Sequence, residues 1–399
     1  MNSKNLAFLF GSGCSSAKNE KGEELGIPTM APMAHAFLQG EVPGHGISSE
    51  TRNHLHSALG IDVDDARYAS NLEALMEVLY GFAFALSQSA KQELVAARDA
   101  VSEAIAAVKK YVLHACLEGQ DGDPGRTVLR TYERFYRRLA QRDRALPRPW
   151  VFTTNYDLFH ETAMDRLGIP YINGFQGSVE RRFNPSVFRY TLAEQLDISS
   201  RRWSSVDSLV YFAKLHGSLS WASSEEGLFP VVERAPREDD EADRLLIYPT
   251  PAKQNASFAS PYSDMFREFQ RRVAREQSAL ITLGYSFSDE HVNNIIFQAL
   301  TIPTFRLVAF VDPNANAMVQ RLREMDDPRI WIIGTEDADA SWKGHFFDPF
   351  VDDIMPSDRD DPTDKAIERV LQQLVRRTEP VPAASLGILE GAQGEVGEA

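Results

Sequence analysis

The segment at residues 11–15, Gly-Ser-Gly-Cys-Ser, has the residue types of a phosphate-binding loop. It follows the apolar run 6–10, so a buried strand is predicted to end abruptly in small residues. Glycine lets the backbone approach a phosphate closely, and backbone N–H groups can then point at the anion. A Gly-Ser-Gly sequence on its own is equally that of a plain turn. The candidate phosphate-contacting residues are Gly11, Ser12, Gly13 and Ser15.

Three more motifs follow strand-length apolar runs and carry side chains suited to chemistry. They are Thr-Thr-Asn-Tyr-Asp at 153–157, Lys-Leu-His-Gly-Ser at 214–218 and Gly-Tyr-Ser-Phe-Ser-Asp at 284–289. The four motifs together are far more specific than any one of them. Asn155 stands at the carboxyl end of its predicted strand, which is where ligands bind in open α/β sheets. The set predicts a ligand site at this edge of a sheet.

The apolar runs that precede these motifs predict the fold class. Several of them are apolar throughout instead of alternating, as expected of parallel strands buried on both faces. Helical or loop-like segments separate them, which favours an α/β fold with a Rossmann-like parallel sheet. The predicted strands cover residues 6–10, 149–153, 209–215, 279–283, 306–311 and 330–333.

The first and second predicted strands lie further apart than a simple crossover requires. Apolar residues at helical spacing occur at 72–86 and 101–112, and a third candidate helix covers 131–139. These features predict a helical insertion at about residues 50–145. It is interpreted either as a small subdomain or lid, or as a helical layer packed on the main sheet.

The rest of the chain is predicted to be organised around this one domain. We assign residues 1–335 to it and 336–379 to a C-terminal extension with one amphipathic helix. Asp361 and Pro362 have the residue types of an N-cap and a first helical position. The segment 380–399 is rich in Pro, Ala, Gly and Glu and is expected to be a disordered tail.

The composition excludes several classes of protein. A net charge of −15 argues against extensive nucleic-acid binding, which requires a basic surface. The two cysteines, Cys14 and Cys116, cannot form a four-cysteine zinc module or a disulfide framework. No apolar run approaches the length of a membrane span. We therefore expect a cytoplasmic protein with no metal, no direct nucleic-acid contact and no membrane association.

The order of the motifs resembles that of the sirtuins, the silent-information-regulator family. The loop at 11–15 resembles their Gly-Ala-Gly-x-Ser, and Gly-Ile-Pro at 26–28 is shared with them. The segment 154–157 is similar to their Gln-Asn-Ile-Asp, 216–217 to their catalytic His-Gly, and 284–286 to their Gly-Thr-Ser. The resemblance spans roughly residues 5–315 and is interrupted by the predicted insertion.

Two departures from the sirtuin pattern indicate a subclass. The zinc module is missing, and Thr29 and Met30 follow Gly-Ile-Pro where sirtuin deacylases have Asp-Phe-Arg. The motifs at 153–157, 215–218 and 284–294 instead resemble the zinc-less sirtuin-like proteins of bacterial anti-phage systems, which are NAD hydrolases. Members of similar length resemble the subunit that pairs with a HerA-type hexameric ATPase.

This resemblance implies an NAD glycohydrolase that forms nicotinamide and ADP-ribose, with NAD as substrate, gated by homo-oligomerisation or by the ATPase. His216 would accept a proton, Asn155 would hold a ribose hydroxyl and the attacking water, and Asp157 would bind the nicotinamide carboxamide. The NAD-contacting residues would be Gly11, Ser12, Gly13, Ser15, Thr154, Gly284, Ser286, Asp312 and Asn314.

Structural interpretations of the same residues remain open. The side chain of Asn155 would make its hydrogen bonds within a turn, and that of His216 would pair with backbone groups. Asp157 would equally be the N-cap of the helix predicted to begin at Leu158. The sequence Asp-Pro-Asn at 312–314 is a favourable turn. Two other functions also stay open: a non-catalytic scaffold or sensor that binds NAD or ADP-ribose, and a protein deacylase, which the missing zinc module disfavours.

Overall fold

A computed structural model of the chain describes residues 4–18, 24–89, 91–197, 202–224, 231–237, 245–247, 260–336 and 343–356. The chain divides into two compact units, Met1–Met355 and Pro356–Ala399. The predicted helix whose N-cap is Asp361 and the predicted tail 380–399 lie outside the described residues.

Sixteen strands and nine principal helices are described. The strands are β1 Asn5–Phe10, β2 Ser16–Lys18, β3 Glu24–Gly26, β4 Trp150–Thr153, β5 Tyr171–Ile172, β6 Phe175–Gln176, β7 Arg181–Phe183, β8 Ala193–Asp197, β9 Arg202–Ser205, β10 Val210–Lys214, β11 Gly217–Ser223, β12 Val231–Glu233, β13 Leu245–Ile247, β14 Ser278–Leu283, β15 Arg306–Phe310 and β16 Ile330–Ile333. The helices are α1 Met30–Gln39, α2 Ser49–Leu59, α3 Leu72–Ser87, α4 Val95–Gln120, α5 Gly122–Ala140, α6 Phe159–Leu167, α7 Tyr262–Val273, α8 Glu290–Leu300 and α9 Ala317–Glu324.

Seven of the strands form one parallel sheet in the order β16-β15-β14-β1-β4-β10-β5. This confirms the predicted α/β fold with a Rossmann-like parallel sheet. Every residue of β4, and all of β1 after Asn5, is buried, which accounts for their unbroken apolar sequences. The edge strand β5, with two residues, is too short to leave a periodic signal.

The sequence did not predict a second, five-stranded sheet of order β13-β11-β12-β7-β6. Its pairings are antiparallel. Four of its strands have only two or three residues. Such short segments are recognised by their partners in space and not by their own sequence pattern.

Helices α1–α5 occupy the chain between β1 and β4 and include all three predicted helices. Their buried faces share one core with the sheet, and Phe8 of β1 packs edge-to-face on Phe135 of α5 at 5.2 Å. Local capping also fixes them, since Asn71 accepts a hydrogen bond from Ala74 N at the start of α3. The insertion therefore packs as a layer on the sheet.

The opposite face of the sheet is covered by α7, α8 and α9. Phe269 of α7 lies against Phe152 of β4 with ring centroids 4.9 Å apart, and both belong to a second core. The sheet is thus buried on both sides, as its sequence predicts.

Residues beyond the predicted domain boundary at 335 also enter the first core. A short helical segment, Phe347–Pro349 followed by Phe350–Ile354, brings Phe347 to 5.4 Å from the ring of Phe10. Arg134 of α5 and Asp352 form an ion pair at 2.9 Å. None of the helices in the described ranges is long and apolar enough to cross a membrane.

Candidate active site

A cavity of about 470 Å³ lies at the carboxyl ends of β1, β4, β10 and β14. Its volume falls in the range typical of small-molecule sites. The loops that follow these four strands contribute most of the sequence-predicted residues. The predicted residues that line the cavity are Gly11, Ser12, Ser15, Thr154, Asn155, Asp157, His216, Gly284 and Ser286.

Three predicted residues do not line this cavity. Gly13 instead takes part in the contact between two loops, where its N–H donates to Gly284 O at 3.1 Å. Asp312 and Asn314 are exposed, and Asp312 Oδ1 accepts from Asn314 N at 2.8 Å, which is the turn interpretation of that segment. Asn316 contacts the cavity loop instead, since its Nδ2 donates to Ser286 O at 2.5 Å.

The loops after β1 and β14 cross in direct backbone contact. A Cβ at Gly11 would lie 2.4 Å from Gly284 O, and one at Gly284 would lie 2.6 Å from Cys14 N. Gly284 also has φ +59°, a conformation that side chains disfavour. These glycines are required by the crossing itself, which brings the two loops to one wall of the cavity.

Gly284→Ala is expected to lower the free energy of unfolding by about 2–4 kcal/mol, because it combines strain at positive φ with a backbone collision. Gly40→Ala is the matched control, since Gly40 has φ +66° but nothing within 4 Å of its Cβ position. Urea unfolding of both variants measures the difference. Equal losses in the free energy of unfolding would show that the two crossing loops accommodate the added Cβ without an energetic penalty.

Ser15 is the centre of a buried hydrogen-bond network under the cavity. Its Oγ donates to Asp157 Oδ2 at 2.6 Å and accepts from Asn155 Nδ2 at 2.8 Å. Because its single hydroxyl hydrogen is used, the 3.3 Å contact with Tyr132 requires the tyrosine OH as donor. Burial, with the charge of Asp157, holds the pKa of Tyr132 well above its usual value. In this arrangement Ser15 organises the loop, and its hydrogen is not available to a phosphate.

Asn155 is held in one orientation by its neighbours. Its Nδ2 donates to Gly11 O at 2.9 Å as well as to Ser15 Oγ. Because the carbonyl oxygen of Gly11 can only accept, the nitrogen of the amide and not its oxygen must face Gly11. Thr153 Oγ1 accepts from Asn155 N at 3.0 Å. The sequence predicts that this amide both donates to and accepts from a ligand. Because its two hydrogens are already used, only Oδ1, an acceptor, is left for a ligand.

Asp157 has a structural task whichever ligand binds. Its Oδ1 accepts from Phe159 N at 3.1 Å, at the start of α6, while Oδ2 accepts from Ser15. The helix begins at Phe159, one residue later than predicted. Both oxygens thus join the strand-end loop to the network, although Asp157 also lines the cavity.

Lys214 belongs to the motif at 214–218, and its side chain makes several buried polar contacts. Its buried Nζ lies 2.9 Å from Glu161 Oε1, donates to Tyr156 O at 3.2 Å and also donates to the carbonyl oxygen of Asp157. Burial raises the pKa of Glu161 to about 7, against the opposing effect of the lysine. A lysine inside an otherwise apolar strand was the available signal.

His216 and Asp289 meet across the cavity wall. His216 Nε2 lies 3.0 Å from Asp289 Oδ2, and both side chains are largely buried. The distance is that of an ion pair, without the alignment of a hydrogen bond. Asp289 also caps α8, since its Oδ1 accepts from Val292 N at 3.0 Å. Asp289 was not among the residues predicted for the site, and the fold brings it to His216.

Helices α3 and α4 of the insertion, together with the preceding helix α1, form a further wall of the cavity. This wall is largely apolar, with Met33 on α1 and Val108 and Val112 on α4, while Glu73 and Glu77 of α3 add carboxylates. The cavity thus combines polar residues from the strand-end loops with apolar residues from the helices, a composition typical of small-molecule sites. Residues of the insertion thus line the cavity as well as pack on the sheet.

Neither cysteine has the character of a nucleophile. Both are buried, and burial raises the pKa of the Cys14 thiol and of the Cys116 thiol well above the usual range. Within the described part of the chain, no group of three or more His, Cys, Asp and Glu side chains is placed to hold a metal ion.

Residues 149–340 match the family model of the SIR2-like domain. The match begins at β4 and includes the loops that carry Asn155, His216 and Gly284, whereas the loop at 11–15 lies outside it. It supports a sirtuin-like family, whose domains bind NAD and are commonly NAD-dependent enzymes. No curated protein matches the chain.

Proposed function

We propose that the protein is an NAD glycohydrolase that cleaves NAD to nicotinamide and ADP-ribose. The observation that carries the proposal is the convergence of Asn155, His216 and the crossing glycine loops on one cavity. The cavity lies at the carboxyl edge of the parallel sheet, within a chain that matches the SIR2-like domain.

The proposed reaction breaks the bond between nicotinamide and C1′ of the ribose. Its electron pair leaves with the nicotinamide, C1′ becomes oxocarbenium-like, and a water oxygen bonds to C1′. The water loses a proton in this step, and His216 accepts it. Asn155 Oδ1 accepts a hydrogen bond from a ribose hydroxyl or from the water, because its amide hydrogens are already engaged.

The crossing loops and the apolar wall position the rest of the substrate. The backbone at Gly11 and Ser12 borders the cavity and is suited to approach by the pyrophosphate. The apolar side chains of α1 and α4 exclude bulk water from the face where nicotinamide would lie, which strengthens polar interactions at the base.

The biological role we propose is a gated effector of bacterial anti-phage defence that depletes NAD. This part rests on the resemblance of the motifs to zinc-less sirtuin-like defence proteins. Uncontrolled NAD hydrolysis is toxic, so activity would depend on homo-oligomerisation or on a HerA-type hexameric ATPase. The site of action would be the cytoplasm, where NAD is abundant.

Nicotinamide release from NAD tests the activity directly. The full-length protein is incubated with NAD alone and with the candidate ATPase, and we expect release that the ATPase increases. Full activity of the protein alone would overturn gating but not the activity. No release under either condition, together with tight NAD binding by calorimetry, would establish a binding subunit instead.

That binding alternative has an observation in its favour. Both amide hydrogens of Asn155 and both carboxylate oxygens of Asp157 are engaged within the fold. Because these groups are already bonded within the fold, the site would bind a nucleotide through other groups and would not cleave it. Calorimetry and turnover measured on the same preparation separate the two functions.

A further inference from the structure

Asp289 and His216 come from different loops and meet at the cavity. His216 follows β10, and Asp289 ends the loop after β14, yet Nε2 and Oδ2 are 3.0 Å apart. Both residues line the cavity, and both side chains are about nine-tenths buried. A carboxylate held this close to an imidazole in a poorly hydrated position affects which ring nitrogen carries the proton.

The position of Asp289 is fixed from several directions. Its Oδ1 accepts from Val292 N at the start of α8, so Oδ2 is left facing His216. Tyr285 OH lies 3.2 Å from Asp289 O and 3.0 Å from Asn293 Oδ1. Asn293 Nδ2 in turn donates to Phe287 O at 2.8 Å. The loop is braced on itself, so the carboxylate is held in place before any ligand arrives.

We propose that Asp289 is a positioning residue for His216. Because a carboxylate oxygen is only an acceptor, the nitrogen that faces it must carry a hydrogen, which places the lone pair of the neutral ring on Nδ1. Asp289 selects this tautomer and restrains the ring that accepts the proton. The inference rests on the proposed function, which gives His216 its role as base.

The 3.0 Å contact lacks the alignment of a hydrogen bond. Catalytic hydrogen bonds are often loose before substrate binds and tighten in the complex. Asp289 is the partner tied to a helix, since its Oδ1 caps α8.

Asp289→Ser separates this role from helix capping. Serine caps helices about as well as aspartate, so α8 keeps its cap, but the shorter side chain cannot reach His216. Glu290→Gln is the control, since it removes a neighbouring exposed negative charge from the same helix end. We expect Asp289→Ser to lower kcat on the order of 100-fold with KM changed less than about twofold, and Glu290→Gln to retain activity.

A double-mutant cycle with His216→Ala tests whether Asp289 acts through the histidine. The double variant should be no slower than His216→Ala alone. Multiplicative losses would assign Asp289 a separate role and overturn the proposal. A merely structural role would instead lower thermal stability, which the same variants report.

Nitrogen NMR of the histidine rings decides the case even without turnover. The His216 signals are identified by their absence from His216→Ala. We expect wild type to have the Nε2-protonated tautomer and Asp289→Ser to lose that preference. An unchanged tautomer in Asp289→Ser overturns the positioning role, whereas a changed tautomer in a protein that never cleaves NAD would defeat only the proposed function.

Discussion

Asn155→Ala is expected to reduce the rate of nicotinamide release by about 100- to 1000-fold, the range seen when one transition-state contact is removed. The variant loses Oδ1, the atom proposed to face the substrate. It also leaves Gly11 O and Ser15 Oγ without the amide hydrogens that they accept. The loop that begins at Gly11 would then shift at the point where it meets the strand end of β4.

Asn155→Asp distinguishes these two effects. A carboxylate keeps the acceptor but presents a second oxygen to Gly11 O, where a donor is required. We expect this variant to lose as much activity as alanine, because the network cannot form with the same geometry. Retained activity in Asn155→Asp would show that only the acceptor matters.

The control for both variants is Asn294→Ala on α8, an exposed asparagine outside the cavity. Initial rates over a range of NAD concentrations give kcat and KM separately. Wild-type activity in Asn155→Ala would remove this residue from the reaction. Thermal unfolding of each variant identifies any loss that comes from misfolding.

Lys214→Met is expected to lower the free energy of unfolding by about 3–5 kcal/mol, the cost of leaving one member of a buried ion pair alone. Methionine has a similar length but cannot neutralise Glu161 or donate to the carbonyls of Tyr156 and Asp157. The loop that carries Asn155 is tied down by those carbonyls, so activity should fall together with stability.

The pH dependence of this loss follows from Glu161. Its pKa in the folded protein, about 7, is raised above its ordinary value of 4.5, so protonation favours the folded state. This stabilisation is complete below the unfolded value and is lost as the pH rises through about 7. The loss in the free energy of unfolding of Lys214→Met relative to wild type should be larger at about pH 8 than at about pH 5.

Two further variants test the assignment of this effect. Lys214→Met/Glu161→Gln should recover part of the lost stability, because neither member of the ion pair is left charged and alone. Lys91→Met, at an exposed lysine, should unfold like wild type. Denaturant titrations at both pH values provide the measurement, and a deficit that does not change with pH would separate Lys214 from Glu161.

The parallel sheet could be read from the sequence because each of its longer strands is apolar along its whole length. The predicted strand 330–333 coincides with β16, and 6–10 lies within β1. The helices α3, α4 and α5 were predictable for the same reason, since an apolar stripe at helical spacing is a local property. Strand β5 and four strands of the second sheet were missed because two- and three-residue strands carry too little pattern. The seven-residue strand β11 alternates Leu219 and Trp221 with serines, so its pattern was available and was missed.

The candidate site was predictable where a residue follows a strand. Asn155, His216 and Gly284 each stand directly after or close to a predicted strand end, and parallel strands bring such residues to one edge. Asp312 also follows a strand, but its loop folds back on itself through Asn314 and lies outside the cavity. A residue that follows a parallel strand can therefore be assigned to the edge of the sheet, but not to the cavity.

The sequence by itself determined the α/β class, the four strand-end loops and the glycines that let two of them cross. These are local properties, set by apolar periodicity and by the absence of a Cβ. Tertiary structure alone decided that Asp289 faces His216, that Lys214 holds the Asn155 loop, and that the inserted helices form a wall of the cavity. Those pairings join residues that are distant in the chain. The sequence around a buried charged residue does not indicate which distant residue is its partner.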